Sequence, residues 1–224
     1  DWPHTWWGDT AVEEKEAQAL QQLEQALAIP TAAVILEPLI QGAAGMRVVR
    51  PAFLRAVAAR VKAAGALLIA DEVINGFGRT GEWFGATSQV MVPDTISVAK
   101  QMTAAYAPLG AVMVPDHMMD VLEQQSAKIG VFGHGYTYGG HPLGCALGVK
   151  AIEIYQRMDI CNVVRSITPQ FEQRLSRLAD HPLVGEVRNS GLMAGVELVA
   201  DKASKRSFTS LLTMILLTAA LSFS

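Results

Sequence analysis

The stretch Ala66–Asp71 reads ALLIAD, in which five consecutive apolar residues are followed by a carboxylate. The stretch Thr95–Lys100 reads TISVAK and repeats this form, with a lysine at its end. Short runs of this kind are typical of strands that lie buried in a parallel sheet. Ligands of open α/β sheets bind beyond the carboxyl ends of the strands. Asp71 and Lys100 are therefore the first candidates for a functional site.

Strand-like runs and helical patterns alternate on both sides of these two stretches. Further strands are predicted at Ala32–Leu36, as a strand buried on both faces, and at Leu109–Val114. Helices are predicted at Thr10–Leu27, where Thr10 and Glu13 form a capping box, at Pro51–Ala64, and from Pro115 to about Gln125. Alternating strands and helices indicate βαβ units, an α/β fold class and a mostly parallel sheet.

The pattern changes after Pro142. Two helical stretches, from Pro142 to about Arg157 and from about Ile160 to Ala179, precede two strand-like stretches on either side of Gly191. This order is typical of an α+β unit, so we place a domain change near residue 155. Residues 209–224 form an apolar run without any charge.

The composition excludes several classes of protein. The chain has 224 residues, of which 50% are hydrophobic and 17% charged, and it contains two cysteines. A disordered chain would bury less apolar surface, and two cysteines cannot hold a disulfide scaffold together. With a net charge of −3 we expect neither nucleic acid nor a membrane as a partner. The uncharged end is shorter than the roughly 20 residues that span a bilayer, and we expect a cytoplasmic protein.

Asp71 and Lys100 differ in context from the other charged residues because each directly ends a predicted core strand. A buried carboxylate or ammonium group needs a partner. Desolvation would turn the lysine into a nucleophilic amine that can form a Schiff base. A pyridoxal phosphate bound to Lys100, with its ring nitrogen paired to Asp71, would satisfy both side chains. A buried salt bridge between the two side chains satisfies them equally well.

Four stretches resemble class III aminotransferases in their order and spacing. They are Glu37-Pro38 with Gln41-Gly42 and Gly45, LLIADEVINGFGRTG (Leu67–Gly81), SVAKQMTAAYAPLGAVMV (Ser97–Val114) and HGYTYGGHPLGCA (His134–Ala146). The wording is most similar to the branch that acts on ω-amino acids and on amines with pyruvate. The resemblance implies fold type I, with a partial cofactor-binding large domain at 1–155 and part of the α+β small domain at 156–208. It is expected to end near residue 208, so that 209–224 would be a tail that does not match the family.

The resemblance implies a role for five residues toward pyridoxal 5'-phosphate. Lys100 would hold the cofactor as a Schiff base, and Asp71 would pair with its pyridinium nitrogen. Val73 would pack against one face of the ring, and Glu37 would support the site from the end of its strand. Thr137 would contact the cofactor phosphate of the neighbouring subunit in a homodimer.

The same resemblance implies the reaction. A transaminase of this branch moves an amino group from an amine or ω-amino acid to an oxo acid such as pyruvate, so an amino donor and an oxo acid are the expected partners. Some family members carry at the position of Ile74 a glutamine that bonds the ring hydroxyl, which Ile74 cannot do. Arg47, Arg50 and Arg79 are candidates for binding a carboxylate, although the arginine that usually does so lies beyond the stretch that matches.

Several alternatives stay open. The N-terminal half of the family's large domain has no counterpart here, so we interpret the chain as a piece of a longer protein. It would then belong to a transaminase or be a non-catalytic remnant, such as a dimerisation module. Aminomutases, decarboxylases and racemases of the same class share Asp71 and Lys100. Gly76–Gly81 also matches the dinucleotide pattern G-x-G-x-x-G, although a turn is the better interpretation. His134 and His141 lack a third ligand nearby, so no metal site is expected.

Overall fold

A computed structural model describes residues 2–6, 8–87 and 90–208. The predicted tail at 209–224 lies outside the described residues. The α-helices are α1 (Val12–Leu27), α2 (Pro51–Ala63), α3 (Asp116–Ile129), α4 (Pro142–Arg157) and α5 (Ile160–Ser176). The strands are β1 (Ala33–Leu36), β2 (Ile40–Gln41), β3 (Arg47–Val48), β4 (Leu67–Asp71), β5 (Thr95–Val98), β6 (Ala111–Met113), β7 (Val184–Ser190) and β8 (Met193–Leu198). Two 3₁₀ helices, Lys100–Thr103 and Arg177–Asp180, complete the described elements.

The main sheet has the strand order β1-β4-β5-β6. Its strands β1, β4 and β5 are parallel to one another, and β6 runs antiparallel to β5. The predicted mostly parallel α/β sheet is thereby confirmed. The strands predicted on either side of Gly191 form the antiparallel hairpin β7–β8.

Apolar side chains form two clusters around this sheet. The larger cluster packs α2 against β1 and β4 with fully buried leucine and valine side chains, and α1 contributes to it from outside. The smaller cluster joins the segment after β4 to β5 and α4; its buried members are Phe77, Val98, Ala151 and Tyr155. Because α4 packs on the end of β5, it lies close to the carboxyl edge of the sheet.

Two of the local predictions are wrong. Helix α1 begins at Val12 with Ala11 as its N-cap residue, and no side chain caps its N-terminus. Thr10 lies one residue before the N-cap, within a turn in which Asp9 Oδ1 accepts the N–H of Ala11 at 2.9 Å. Thr10 therefore forms no capping box. Strand β1 is not buried on both faces: it is the outer strand of the described sheet, and Ile35 is 61% exposed.

The glycine-rich segment after β4 is a turn. None of the residues described between β4 and β5 is helical, and Gly78 and Gly81 have φ values of +92° and +90°. A dinucleotide fingerprint requires a helix directly after the glycines, so that interpretation is excluded. A Cβ on Gly78 would lie 2.9 Å from Ile160, and the carbonyl of Gly81 accepts a hydrogen bond from Arg165. The turn is thus packed against α5.

The hairpin β7–β8 also rests on this turn. The N–H of Leu192 donates to the carbonyl of Arg79 at 3.0 Å. The neighbouring Gly191 has φ +60°, and a Cβ there would lie 2.5 Å from the same carbonyl oxygen. Only a residue without a side chain permits this approach.

Glu72 follows Asp71 directly and is completely buried. Successive residues of an extended segment point to opposite sides, so Glu72 points inward where Asp71 does not. Its carboxylate accepts the backbone N–H groups of Gly85 at 3.0 Å and Ala86 at 2.6 Å. Burial raises the pKa of Glu72; the two N–H donors oppose that effect, and the nearby charge of Asp71 adds to it.

We expect the Gly191→Ala substitution to destabilise the protein strongly. Alanine at a positive φ costs about 1 kcal/mol anywhere, and the clash with the Arg79 carbonyl adds about 1–3 kcal/mol. Gly130→Ala is the matched control, because Gly130 has φ +75° but no neighbour within 4 Å of a Cβ. The measurement is the free energy of unfolding by urea. Equal losses for the two variants would contradict the close contact between hairpin and turn.

The raised pKa of Glu72 predicts how stability depends on pH. Unfolded Glu72 loses its proton near its ordinary pKa of 4.5, whereas folded Glu72 keeps it to higher pH. Stability should therefore fall as the pH rises from that ordinary value through the raised one, because the folded state binds the proton more tightly. Glu72→Gln should remove this part of the slope, as measured by thermal unfolding across pH. Glu14→Gln on the exposed face of α1 controls for the exchange of carboxylate for amide, and an identical slope in both variants would refute the assignment.

Candidate active site

Asp71 and Lys100 lie at the same edge of the main sheet. Strands β4 and β5 run side by side in parallel, and their register pairs Asp71 with Ser97. The N–H of Glu72 donates to the carbonyl of Ser97 at 2.9 Å, which extends the pairing by one step. Lys100 follows Ser97 after the strand ends. The structure therefore brings together the two residues that the sequence singled out.

The carboxylate of Asp71 is half-buried and only partly used. Its Oδ1 accepts the N–H of Val73 at 3.0 Å, which fixes the side chain within a tight turn after β4. Among the described residues, Oδ2 of Asp71 has no hydrogen-bond or ion-pair partner. One carboxylate oxygen thus remains available for a donor at the sheet edge.

Lys100 leaves the sheet as the chain turns into a 3₁₀ helix. It is the first residue of that helix and has φ +44°, an unusual backbone conformation for a lysine. Its side chain is exposed, and among the described residues nothing pairs with its Nζ. The expected burial of Lys100 is wrong for this part of the chain, because the turn after Val98 carries the side chain out of the apolar layer.

The alternative of a structural salt bridge fails on the same geometry. Within the described part of the chain, no ion pair joins Asp71 to Lys100. An acceptor oxygen and an amine therefore face one sheet edge without neutralising each other. This is what a site needs when a ligand is to lie between them.

Glu37, Val73 and Ile74 lie around the same edge. Glu37 follows β1, and its Oε2 accepts the N–H of Gly42 at 2.8 Å, so that it holds the start of the turn between β2 and β3. A Cβ on Gly42 would lie 2.5 Å from Cδ1 of Ile74, which packs onto this turn. Val73 and Ile74 are half-buried and offer only apolar side chains.

Thr137 lies in a segment that is exposed throughout, residues 131–143. The turn glycines Gly135 and Gly140 have φ values of +76° and +68°. Among the described residues, no hydrogen bond connects Thr137 to Asp71, Lys100 or any other group. The structure of one chain therefore does not bring Thr137 into contact with the other predicted site residues.

The candidate arginines are occupied to different degrees. Arg50 donates to Glu16 at 2.6 Å, and this pair lies at the wall of a cavity of about 820 Å³ between α2, α5 and β7. None of the five predicted site residues lines that cavity. Arg79 instead reaches toward the residue after Lys100, where its Nη2 donates to Gln101 Oε1 at 3.2 Å.

No group of three metal-ligating side chains exists among the described residues. His134 stacks on Phe132 with ring centroids 5.6 Å apart, and Nδ1 of His141 accepts the N–H of Leu143 at 3.3 Å. Both histidines thus have local roles. Within the described ranges, no helix has the length and apolarity that a membrane crossing requires.

Sequence reasoning missed three residues near this edge: Glu72, Gln101 and Tyr155. A signal for two of them, Glu72 and Tyr155, was present. Glu72 had to point opposite to Asp71 and so needed its own partners. Tyr155 lies on the apolar face of α4, where a buried phenol requires a hydrogen-bond partner. That partner is Gln101, next to Lys100.

The residues present fit pyridoxal phosphate. The cofactor needs an amine for its aldehyde and an anionic acceptor for its protonated ring nitrogen. Nζ of Lys100 and Oδ2 of Asp71 provide these two groups at one edge, each without a competing partner among the described residues. Val73, two residues after Asp71, adds an apolar side chain at the same edge.

Comparisons with known proteins agree with this chemistry. A family model described as aminotransferase class-III matches residues 7–219. The chain is 44% identical over 202 residues to an adenosylmethionine-8-amino-7-oxononanoate aminotransferase of Synechococcus elongatus, covering 90% of this chain and 47% of that protein. It is 42% identical over 177 residues to the mitochondrial gamma-aminobutyrate transaminase 1 of Oryza sativa, covering 79% of this chain and 34% of that protein.

Solved structures of transaminases share the fold. An ω-transaminase from Thermomicrobium roseum superposes with a TM-score of 0.82 at 40% identity, covering 90% of this chain and 45% of that chain. The ω-transaminase of Pseudomonas jessenii, solved in complex with PMP, gives 0.82 at 33% identity, covering 88% of this chain and 44% of that chain. The likeness confirms the fold type I architecture, and the family implies pyridoxal phosphate as the cofactor.

The match also bears on the extent of the resemblance. The chain spans between about a third and about half of the length of these curated relatives. The family model continues to residue 219, past residue 208 where we expected the resemblance to end. The domain boundaries at 155 and 208 stay predictions. The match over nearly the whole sequence, together with the paired strand ends at Asp71 and Lys100, shows that the chain belongs to the class III aminotransferase family.

Proposed function

We propose that the protein carrying this chain is a transaminase that moves an amino group from an amine or ω-amino acid to an oxo acid such as pyruvate. The observation that carries this proposal is the position of Asp71 and Lys100 at the ends of neighbouring parallel strands, with a free carboxylate oxygen and a free amine among the described residues. Among the described residues Asp71 and Lys100 form no ion pair with each other, which argues against the alternative of a structural salt bridge.

The relatives support the reaction class and leave the substrates open. Their names refer to gamma-aminobutyrate, to 8-amino-7-oxononanoate and to ω-transamination. Of these names, gamma-aminobutyrate denotes a compound whose amino group is remote from its carboxylate, and ω-transamination refers to the same chemistry. These two names support an ω-amino acid or amine as donor. The choice of pyruvate as acceptor rests on the wording of the motifs around Asp71 and Lys100.

Asp71 and Lys100 would have separate tasks. Bound pyridoxal phosphate supplies a conjugated ring that takes up the electrons released when the substrate loses a proton. The Oδ2 atom of Asp71 holds a proton on the ring nitrogen, because a carboxylate next to a cationic N–H favours the charged form. Once the substrate amine has taken its place on the cofactor, the freed Nζ of Lys100 would accept the proton from the substrate carbon as a general base and give it back as a general acid.

The neighbouring residues would shape the ring pocket. Val73 presents an apolar side chain to one ring face, and its N–H fixes the carboxylate of Asp71. Ile74 provides packing in place of a hydrogen bond to the ring hydroxyl. Glu37 supports the edge indirectly, since its carboxylate is engaged with Gly42 and holds the turn that packs against Ile74.

We also propose that a second copy of the chain completes the site. The segment from β6 to the start of α4 leaves many large apolar side chains exposed: Val112, Met113, Val121, Ile129, Val131, Phe132, Tyr136, Tyr138 and Leu143. Helix α3 buries none of its residues against the described part of the chain. Large apolar side chains exposed in such number along one segment are typical of a surface that another polypeptide covers. Thr137 lies within it, so its hydroxyl would serve the cofactor phosphate of the other subunit.

The decisive experiment combines labelling with turnover in the full-length protein. Borohydride reduction followed by peptide mapping should place the pyridoxyl group on Lys100. The wild-type protein should convert pyruvate to alanine with an amine or ω-amino acid as donor. Lys100→Ala should lose both the label and the activity, because no other amine lies at the sheet edge among the described residues.

Lys62→Ala is the matched control, since Lys62 is an exposed lysine of α2 away from this edge. It should keep the label and the activity. A label on a different lysine would refute the assignment of Lys100. If the protein forms no alanine from pyruvate but consumes 2-oxoglutarate, pyruvate is excluded as the acceptor and the assignment as a transaminase stands.

Asp71→Asn should retain much of the cofactor binding and lower turnover by orders of magnitude, because a neutral amide does not hold the proton on the ring nitrogen. The measurement is kcat together with the visible absorbance of the bound cofactor. Asp94→Asn is a suitable control: Asp94 Oδ2 accepts the N–H of Leu68 at 2.7 Å, a bond of the same kind on the opposite end of the strands. Near wild-type turnover in Asp71→Asn would refute the role.

Mixing two inactive variants tests whether Thr137 acts across the interface. A dimer of one Lys100→Ala subunit and one Thr137→Ala subunit would hold both defects in one site and leave the other site intact. After subunit exchange, activity should recover to about a quarter of wild type, since half of the dimers are mixed and each has one intact site. If both residues served the same chain's site, demonstrated exchange would bring no gain.

A further inference from the structure

Gln101, the residue after Lys100, is held by hydrogen bonds to a buried tyrosine. The hydroxyl of Tyr155 donates to the backbone carbonyl of Gln101 at 2.9 Å and accepts from Gln101 Nε2 at 3.1 Å. Oε1 of Gln101 in turn accepts from Nη2 of Arg79 at 3.2 Å. Tyr155 on α4 thus holds both the main chain and the side chain of Gln101, and Arg79, in the turn after β4, also holds the side chain.

The main chain at this point is in an unfavourable conformation. Lys100 has φ +44°, where the Cβ of an ordinary residue crowds its own backbone. Such a residue keeps its conformation only when the surrounding structure holds it there. The carbonyl of Gln101 also accepts the N–H of Ala104 at 3.1 Å, so Tyr155 and the 3₁₀ helix together use both of its lone pairs.

Tyr155 is suited to this task. It is 7% exposed, on the face of α4 that packs against the 3₁₀ helix of Lys100. Burial raises the pKa of Tyr155, while the bond from Gln101 and the charge of Arg79 act in the opposite direction. The hydroxyl therefore keeps its proton at neutral pH and remains a donor to the carbonyl.

Arg79 joins the same network from the turn that carries the small-domain hairpin. Its guanidinium bonds Gln101, and its carbonyl accepts the N–H of Leu192. The conformation of Lys100 is thereby connected to α4 on one side and to the hairpin on the other. Neither Tyr155 nor Gln101 points a free reactive group at the sheet edge, so both act through Lys100.

We propose that Tyr155 is a positioning residue that, through Gln101, holds Lys100 in the left-handed conformation from which its amine reaches the cofactor. This inference rests on the proposed function of Lys100. On this proposal, loss of the Tyr155 hydroxyl lowers the reaction rate by more than the accompanying loss of stability explains.

The test uses Tyr155→Phe and Gln101→Leu in the full-length protein. The matched control is Thr168→Val, which removes a half-buried hydroxyl that donates to the carbonyl of Val164 at 2.8 Å within α5. In the cofactor-free protein, amide exchange at residues 100–106 should accelerate by about tenfold or more in the two test variants, because each of them loses two hydrogen bonds. In the loaded protein, kcat should fall roughly 10- to 100-fold with KM for the donor nearly unchanged, because the amine is misplaced.

A third measurement separates positioning from simple destabilisation. The pH at which the visible band of the cofactor on Lys100 is half lost should move in Tyr155→Phe and Gln101→Leu and stay in place in Thr168→Val. The double variant should lose less than the sum of the two single variants, since the bond between Gln101 Nε2 and the Tyr155 hydroxyl is shared by both. Should Tyr155→Phe fail to fold, Gln101→Leu tests the side-chain part of the network, because it removes the bonds of Gln101 to Tyr155 and to Arg79, and an unchanged exchange rate and pH midpoint in it would overturn the proposal.

Unchanged exchange and an unchanged pH midpoint in both variants, even with a lower melting temperature, would overturn the proposal. A wild-type protein without a pyridoxyl label on Lys100 would overturn the proposed function instead. In that event the exchange measurement still decides whether Tyr155 holds the backbone at Lys100.

Discussion

The parallel pairing of β4 with β5 is the constraint on which the rest of the site depends. Parallel strands end at the same edge of a sheet, so residues that follow two such strands meet there however far apart they lie in the chain. The hydrogen bond from Glu72 to Ser97 extends this pairing to the last residues before the chain turns away. The strand pairing thus brings Asp71 and Lys100 to one edge without any direct bond between their side chains among the described residues.

Asp71 and Glu72, at the end of β4, have different surroundings because successive side chains of an extended chain point in opposite directions. Asp71 keeps one oxygen free at the edge, whereas Glu72 points inward and holds the backbone of Gly85 and Ala86. The same segment continues into a glycine turn on which α5 and the hairpin β7–β8 rest. The hairpin and the sheet edge are therefore connected through Arg79, whose carbonyl accepts the N–H of Leu192 and whose guanidinium donates to Gln101.

Patterns in the sequence predict what backbone periodicity and local chemistry determine. The strands around Asp71 and Lys100, the helix that begins at Pro51 and the turn at Gly78 all follow from residues close in the chain. The failures concern where an element begins and what covers it. Helix α1 begins at Val12, so Thr10 lies one residue before its N-cap, and Ile35 is exposed because β1 lies at the edge of the described sheet. The bonds of Tyr155 to Gln101 join distant segments, which no local pattern contains.

The same distinction between local and long-range structure separates the five predicted site residues. Asp71, Val73 and Lys100 lie at one edge because a single strand pairing places them there, and Glu37 follows the next parallel strand, β1. Thr137 depends on a surface that the described chain does not cover, since residues 131–143 are exposed throughout. A phosphate needs several converging donors, and an exposed glycine-rich segment provides them only when another surface orders it. In the proposed site, Asp71 and Lys100 would thus control protons from within one sheet, whereas the proposed phosphate contact of Thr137 would require a second surface. The exposed apolar side chains around Thr137 are the feature of this chain that favours such a contact.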